Sequence, residues 1–253
     1  MCYDTDAAPP RFQPPITTVH GTTVRLTSAD GSSFTAYHAQ PEEVKGLGVV
    51  VLPDWRGLHE FYKQLTVRLA EQGHPAVAID YYGRTAADDD RGPDFSFMSH
   101  LPGLTRENIQ ADIMAAAAHL GRPAAALGFC MGGRNAFFAS APAFGFAAVV
   151  GFYGAPGIAG PYGPGPTQHA AELQAPILAL FGGADQGIPP EAVAEFDEAL
   201  TVAGVEHEVV TYPDAPHGFF DETYAEHHEA CHDAWQRVLR FLAAAVRRTE
   251  RAS

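Results

Sequence analysis

Cys130 is the residue of this chain whose surroundings most clearly indicate chemistry. It lies in the run Leu127-Gly-Phe-Cys-Met-Gly-Gly133, with a glycine two positions before and two positions after the thiol. Residues 123–127 predict a short buried strand and residues 134–140 a helix. Cysteine at such a turn lies at a helix start, where backbone N–H groups and the helix dipole favour the thiolate. We interpret Cys130 as a candidate nucleophile, and the alternative is a buried structural cysteine.

A carboxylate and a histidine follow the cysteine, each just beyond a predicted strand. Asp185 follows residues 177–181, and His217 follows residues 207–212. Nucleophile, acid and base in this order, each at a strand end, predict a hydrolytic triad on a parallel sheet. His217 would then act as the base, and Asp185 would orient its imidazole. The alternatives are a turn-forming aspartate and a surface histidine.

Acyl transfer also needs N–H donors for the oxyanion. The backbone N–H of Met131, directly after the cysteine, is one candidate, and that of Trp55, after the strand 48–52, is the second. Trp55 could instead be a packing residue.

The rest of the chain predicts an α/β fold. Asp30-Gly31 between the alternating runs 22–27 and 33–39 predicts an N-terminal β-hairpin. From residue 48 onward strands and helices alternate, which predicts a mostly parallel central sheet with helices on both faces. The predicted strands are 48–52, 76–80, 123–127, 147–152, 177–181 and 207–212, and the helices are 61–72, 106–120, 134–140, 191–203 and 223–246.

One domain is predicted, at residues 16–248, between an irregular arm at 1–15 and a tail at 249–253. Residues 155–166 predict a Gly/Pro-rich loop, and residues 85–102 a mobile, polar excursion near the rim of the site.

Composition and charge indicate which kinds of partner the chain could bind. The chain has 253 residues, a net charge of −14 and a pI near 5.2, which argue against binding to nucleic acid or to an anionic membrane. The sequence contains neither a run long enough to span a membrane nor a signal segment, so we expect a soluble cytoplasmic protein. Three cysteines, Cys2, Cys130 and Cys231, are too few for a disulfide framework. A small-molecule substrate fits best, and a monomer or a small homo-oligomer is expected.

From residue 18 to residue 242 the chain resembles the dienelactone hydrolase family, which has the α/β-hydrolase fold. The resemblance rests on residues 49–57, 78–84, 128–133 and 182–185, and on His217-Gly-Phe219 followed by Asp233-Ala-Trp235. It implies a thiol hydrolase that acts on lactones or activated esters without a cofactor, through Cys130, Asp185 and His217. It also implies that Asp54 replaces a glutamate that contacts the resting cysteine and modulates its ionisation; aspartate is one methylene shorter.

The resemblance also bears on the substrate. Arg84 matches an arginine that binds the substrate carboxylate in the family, which suits a planar guanidinium. A second family arginine, shortly after the histidine, is replaced here by the stretch Phe220-Asp-Glu222. We expect that stretch to repel an anionic substrate unless Arg56 or Arg134 compensates. The missing arginine could therefore indicate a neutral or a bulkier substrate, and a carboxylate-bearing lactone or ester stays open. The predicted substrate-binding residues are Arg84, Tyr82, Arg56, Tyr153 and Phe219.

Two other interpretations stay open at this point. His228-Glu-Ala-Cys-His232 has the spacing of a zinc motif, but no third ligand follows it, and the last helix is predicted to bury a stripe that includes Tyr224 and His228. We therefore expect no metal. The chain could also be a non-catalytic small-molecule binder, or a redox-sensing thiol protein that would need a resolving cysteine near Cys130.

Overall fold

An eight-stranded sheet forms the centre of the molecule. The computed structural model describes residues 8–158, 163–221 and 223–252. The strands are β1 (Val19–Thr27), β2 (Ser33–Pro41), β3 (Gly48–Leu52), β4 (Ala76–Ile79), β5 (Ala124–Phe129), β6 (Ala148–Phe152), β7 (Ile177–Gly182) and β8 (His207–Tyr212). Their order in the sheet is β1-β2-β4-β3-β5-β6-β7-β8. From β4 through β8 every neighbouring pair is parallel, and β1 and β2 are antiparallel additions at one edge.

In the part of the chain that the structure describes, six α-helices connect or follow the strands. They are α1 (Glu60–Glu71), α2 (Phe97–His100), α3 (Arg106–Leu120), α4 (Met131–Phe138), α5 (Pro190–Ala203) and α6 (His228–Ala252). Crossovers between parallel strands are right-handed. The connection from β3 to β4 moves along the sheet towards β1. The connections from β4 to β5, from β5 to β6 and from β7 to β8 move in the other direction, towards β8. Helix α1 therefore covers one face, and α3, α4 and α5 cover the other.

The parallel strands are apolar because both of their faces are covered. Every residue of β3, β5, β6 and β7 is buried, as is expected for strands in the middle of a parallel sheet. Most residues of the edge strand β1 are exposed. The carboxyl ends of the buried strands consequently meet at one edge of the sheet, where the loops that could carry chemistry emerge.

The N-terminal hairpin is confirmed, with longer strands than predicted. Its register runs from the pair Val19 and Pro41 to the pair Thr27 and Ser33. Gly31 has φ 86°, and Asp30 accepts a hydrogen bond from the backbone N–H of Ser32, so the turn uses the two residue types that signalled it.

Residues 85–102 contain regular structure and a buried ion pair. They contain helix α2, and Arg91 anchors them through two hydrogen bonds to Asp80, of 3.0 and 2.8 Å. Both side chains are buried, and the Arg91 guanidinium also lies 4.3 Å from the ring centroid of Phe95. The sequence pattern could not indicate this ion pair, because Asp80 lies outside the segment, directly after β4. Of the predicted loop 155–166, residues 159–162 are outside the described residues.

The last helix begins later and ends later than predicted. Helix α6 starts at His228 and continues to Ala252, through the segment predicted as a tail. Cys231, Trp235, Val238 and Leu242 form its buried stripe, as predicted. His228 does not belong to that stripe, because it is exposed, and Tyr224 is only half-buried and precedes the helix.

The zinc-like motif lies on the outside of α6. The rings of His228 and His232 are parallel, with centroids 6.4 Å apart, and Phe12 of the N-terminal arm packs its ring against both, at 5.4 and 5.3 Å. Within the described ranges, three or more potential metal ligands do not cluster anywhere. No helix in the described ranges has the length and apolar character needed to cross a membrane.

Candidate active site

Cys130 occupies a sharp turn between β5 and α4. Its backbone has φ 54° and ψ −115°, and its N–H donates to the carbonyl of Phe152 over 3.0 Å. Positive φ is strained for any residue with a Cβ and persists only where the surroundings impose it. Among the described residues other than glycine, only Cys130 and Tyr153 have it. The turn thus holds the thiol of the predicted nucleophile at the carboxyl end of the central strand.

The two flanking glycines permit this turn by letting backbones approach. A Cβ on Gly128 would lie 2.0 Å from the carbonyl oxygen of Gly132. A Cβ on Gly132 would lie 2.1 Å from the carbonyl oxygen of Leu52, at the end of β3. Either side chain would force the strand and the helix apart, so both positions require glycine.

His217 and Asp185 form a tight pair beside the cysteine. Nδ1 of His217 lies 2.7 Å from Oδ2 of Asp185. The other oxygen, Oδ1, accepts the backbone N–H groups of Gly187 and Ile188, at 2.8 and 3.2 Å, and the carboxylate side chain is 1 % exposed. These donors fix the carboxylate. A neutral imidazole that donates from Nδ1 has an acceptor at Nε2, which is the atom a base would use.

Cys130 and His217 line one cavity of about 440 Å³. Its wall is largely apolar, and the apolar residues that line it include Trp55, Leu104, Ile109, Phe138, Tyr153 and Ile188. The volume is in the range of small-molecule sites. Of the predicted triad, Asp185 lies behind His217 and away from the cavity surface.

The two predicted oxyanion donors also line this cavity. Met131 is the first residue of α4, and Trp55 follows the end of β3. Within the described ranges neither backbone N–H donates to a protein acceptor. The indole N–H of Trp55 is buried and likewise meets no acceptor there. Two residues that line the cavity therefore carry backbone N–H groups that make no hydrogen bond within the described residues.

Asp54 is buried beneath the same loop. Its backbone N–H donates to the Tyr62 hydroxyl, and its Oδ1 accepts the N–H of Arg56 at 2.8 Å. Oδ1 also lies 3.9 Å from Nε2 of His59, whose pKa is lowered to about 3 by burial and, further, by the charge of Arg56. His59 is therefore neutral and adds no positive charge beside the Asp54 carboxylate.

The Tyr81 hydroxyl lies in the region of both Asp54 and Cys130. It donates to the carbonyl of Pro53 over 2.9 Å. Burial raises the Tyr81 pKa well above its usual range, and Asp54 and Cys130 both add to the effect. Asp54 and Cys130 are therefore electrostatic neighbours of one hydroxyl, which is compatible with the modulating role implied for Asp54.

Four of the five residues predicted for substrate binding do not line the cavity. Arg84 pairs with Asp112 at 2.7 Å and with Asp30 of the hairpin turn, so its charge is already neutralised. Tyr82 is fully buried and donates to the carbonyl of Trp55. Phe219 is fully buried in the core, and Arg56 lies beside Asp54. Only Tyr153 of this group reaches the cavity.

The acidic stretch after His217 also differs from expectation. Asp221 is 2 % exposed, does not line the cavity, and accepts the Tyr153 hydroxyl at 2.8 Å. The Tyr153 ring centroid lies 5.0 Å from that of His217. Asp221 therefore holds the ring that packs against the imidazole, and is not positioned to repel a substrate in the cavity. Phe220 belongs to the core, and residue 222 is outside the described residues.

Arg134 occupies a position at the cavity that the sequence did not specify. It is 8 % exposed and lines the cavity, and it donates to the carbonyls of Ala155, Gly157, Gly163 and Pro164. It thus ties down the loop after β6 that forms one wall. Its position, four residues after Cys130, is one helical turn from the thiol; that spacing is the signal that could have found it.

Cys231 does not resemble a resolving thiol. It is fully buried, its Sγ donates to the carbonyl of Phe219 at 3.1 Å, and burial raises its pKa to about 12. Cys130 and Cys231 are both free thiols. Cys2 lies outside the described residues.

Comparisons with known proteins identify the family of this chain. A model described as the dienelactone hydrolase family matches residues 34–246. A carboxymethylenebutenolidase of Rhodococcus opacus is 30 % identical over 253 residues, with 96 % of each chain covered. A candidate carboxymethylenebutenolidase of Escherichia coli K12 is 32 % identical, covering 85 % of this chain and 83 % of its own. The crystal structure of a candidate dienelactone hydrolase of Klebsiella pneumoniae is 30 % identical with a TM-score of 0.75, covering 89 % of this chain and 99 % of that one.

Proposed function

This chain belongs to the dienelactone hydrolase family and is a hydrolase of esters or lactones, and we propose that it works through Cys130 by way of a thioester. The single observation that carries the proposal is the arrangement around one cavity. The strained elbow presents Cys130, and His217 lines the same cavity with its Nδ1 bound to Asp185 at 2.7 Å. A nucleophile, a base and a fixed carboxylate are the three parts of a hydrolytic triad.

In the first half-reaction the Cys130 sulfur attacks the carbonyl carbon of the substrate, and His217 takes up the thiol proton at Nε2. The carbonyl oxygen becomes an oxyanion, which the N–H groups of Met131 and Trp55 stabilise. Each such donor typically lowers the barrier by about 3 kcal/mol. The tetrahedral intermediate collapses to a thioester, and His217 gives its proton to the departing alkoxide. With a lactone, that alkoxide stays in the same molecule.

In the second half-reaction water hydrolyses the thioester. His217 removes a proton from the water, the resulting hydroxide adds to the thioester carbonyl, and the same N–H groups hold the new oxyanion. Collapse releases the carboxylic acid, and the Cys130 sulfur regains its proton from His217. The reaction uses water together with side chains and backbone N–H groups of one domain, which we propose spans residues 16–248 and contains all but the last turn of α6. Throughout, Asp185 keeps the imidazole in one orientation and stabilises its protonated form.

The test is turnover of 4-nitrophenyl acetate by variants of the cysteine. Cys130→Ala should lose nearly all activity, and Cys130→Ser should lose most of it, because a serine hydroxyl is a much weaker nucleophile with this base. Cys231→Ala is the matched control, since it removes a thiol that lies outside the cavity, and it should retain turnover. Mass spectrometry of the quenched wild-type enzyme should show an acetyl group on the peptide that contains Cys130.

Two results would contradict the proposal. Retained hydrolysis in Cys130→Ala would show that another group is the nucleophile. A folded wild-type protein that neither hydrolyses a panel of esters and lactones nor becomes acylated would instead favour the non-catalytic binder.

A further inference from the structure

Two arginines, Arg106 and Arg134, stand on one side of the cavity. Arg106 is the first residue of α3, and Arg134 lies in α4. Both guanidinium groups lie over the ring of Phe138, with Cζ at 4.2 and 5.6 Å from its centroid. Within the described ranges no Asp or Glu lines the cavity, and neither arginine makes an ion pair. This side of the cavity is therefore positive, in a chain whose net charge is −14.

The two arginines differ in how their N–H groups are used. Arg134 is buried, and its four hydrogen bonds to loop carbonyls occupy Nη1 and Nη2. Its pKa is lowered to about 10 because it is buried and because the charge of Arg106 is near. Carbonyl dipoles solvate the Arg134 charge without cancelling it. Arg134 therefore forms part of the wall and supplies positive potential. Because its Nη1 and Nη2 groups already donate to loop carbonyls, few of its N–H groups remain for a ligand.

Most N–H donors of Arg106 make no hydrogen bond within the described residues. Its hydrogen bond to the rest of the described chain goes from Nη2 to the carbonyl of Pro164, at 3.2 Å. A guanidinium carries five N–H donors in one plane. The contact with the Phe138 ring restrains the guanidinium, and most of its N–H groups make no hydrogen bond within the described residues. The adjacent Glu107 is exposed, interacts with Thr105 and does not line the cavity.

We propose that Arg106 is a specificity-determining residue that binds a carboxylate of the substrate, separated from the scissile carbonyl by an apolar spacer. The spacer would lie against Ile109 and Phe138, which line the cavity together with Cys130. Arg84 cannot serve in the same way while Asp30 and Asp112 hold its guanidinium. The inference rests on the proposed function, because it concerns the substrate of the same site.

The test compares two esters of equal chain length, 4-nitrophenyl hexanoate and the 4-nitrophenyl monoester of adipic acid. They differ in the terminal carboxylate alone. Arg106→Gln should lower kcat/KM for the adipate monoester by about tenfold, as expected for loss of one hydrogen bond to a charged group, and should leave the hexanoate nearly unchanged. Added salt should reduce the difference in the wild-type enzyme.

Arg122→Gln is the matched control, because it makes the same charge change on an exposed residue just before β5, at the opposite edge of the sheet. It should leave kcat/KM for both esters unchanged. An equal effect of Arg106→Gln on both esters, or no effect on either, would overturn the inference and leave the proposed function intact.

A binding measurement distinguishes failure of this inference from failure of the proposed function. Calorimetry on Cys130→Ala protein, with and without Arg106→Gln, would measure the affinity for monomethyl adipate and for methyl hexanoate. A preference for the acidic ligand that disappears in the double variant supports the inference even if no ester is hydrolysed. Equal affinity for the two ligands in the Cys130→Ala protein overturns it.

Discussion

Removing the Tyr153 hydroxyl should impair the positioning of His217. The hydroxyl donates to Oδ2 of Asp221 over 2.8 Å, and both residues are buried. A buried hydrogen bond to a carboxylate contributes about 1.5 to 3 kcal/mol, so Tyr153→Phe should lower the free energy of unfolding by about 2 kcal/mol. The phenyl ring would remain beside the imidazole, at a backbone φ of 38° that is strained without its tether.

The effect on catalysis follows from that loss of tethering. A small displacement of a catalytic group costs far more in rate than in binding. We expect kcat of Tyr153→Phe to fall about tenfold with little change in KM. Single-turnover measurements of acylation, with the unfolding curve recorded on the same preparation, would give both quantities. Asp221→Asn keeps an oxygen acceptor for the hydroxyl and should retain more activity than Asp221→Ala.

Tyr212 offers the control. Its hydroxyl also donates to an aspartate, Asp233, at 2.9 Å, but it does not line the cavity. Tyr212→Phe should therefore lower stability slightly and leave kcat unchanged. If Tyr153→Phe had the kcat of the wild type, or if Tyr212→Phe lost as much kcat, the positioning argument would be refuted.

Two further predictions concern buried charge near the cysteine. Asp54→Asn keeps an acceptor for the Arg56 N–H but removes an ionisable carboxyl group in the region of Cys130, so alkylation of Cys130 by iodoacetamide at pH 7 should be faster by roughly threefold or more; an unchanged or slower rate would contradict this. The pKa of His59 is about 3 in the folded protein and about 6.5 in an unfolded chain. The unfolded state therefore binds more protons between these values, and stability should fall as pH is lowered from about 6.5 towards 3. Urea unfolding as a function of pH should show this slope, and a His59→Gln variant with the same slope would contradict the assignment.

The sequence was sufficient where the signals are local. Glycine at positions 128 and 132 is forced by the approach of backbones that are neighbours in the fold, so the G-x-C-x-G spacing identified the elbow. Asp185 and His217 could be predicted because a parallel sheet brings the ends of its buried strands together. Strand bounds were close for the same reason, since covered strands are continuous apolar runs.

The substrate-binding residues could not be predicted in this way. The direction of the Arg84 side chain depends on Asp30 in the hairpin turn and on Asp112 in α3, which are far apart in the sequence. The role of Asp221 depends on Tyr153, from another strand end. A charged or aromatic residue near a strand end can face the cavity, the core or a partner, and only the assembled packing decides which.

The distribution of charge then has a consequence for how an anionic ester would reach the site. The net charge of −14 repels an anion at a distance, whereas Arg106 and Arg134 make one side of the cavity attractive once it has entered. Salt screens long-range repulsion between exposed charges more than it weakens contacts that are partly buried. Moderate salt should therefore speed the entry of an anionic ester while it narrows its advantage over a neutral one. The two effects act on different constants, since entry sets the association rate and the contact with Arg106 sets the dissociation rate. The protein as a whole repels an anionic ester, and the arginine side of the cavity attracts it. Substrates whose carboxylate reaches Arg106 are therefore favoured, because for any other anion no contact offsets the free-energy cost of the repulsion.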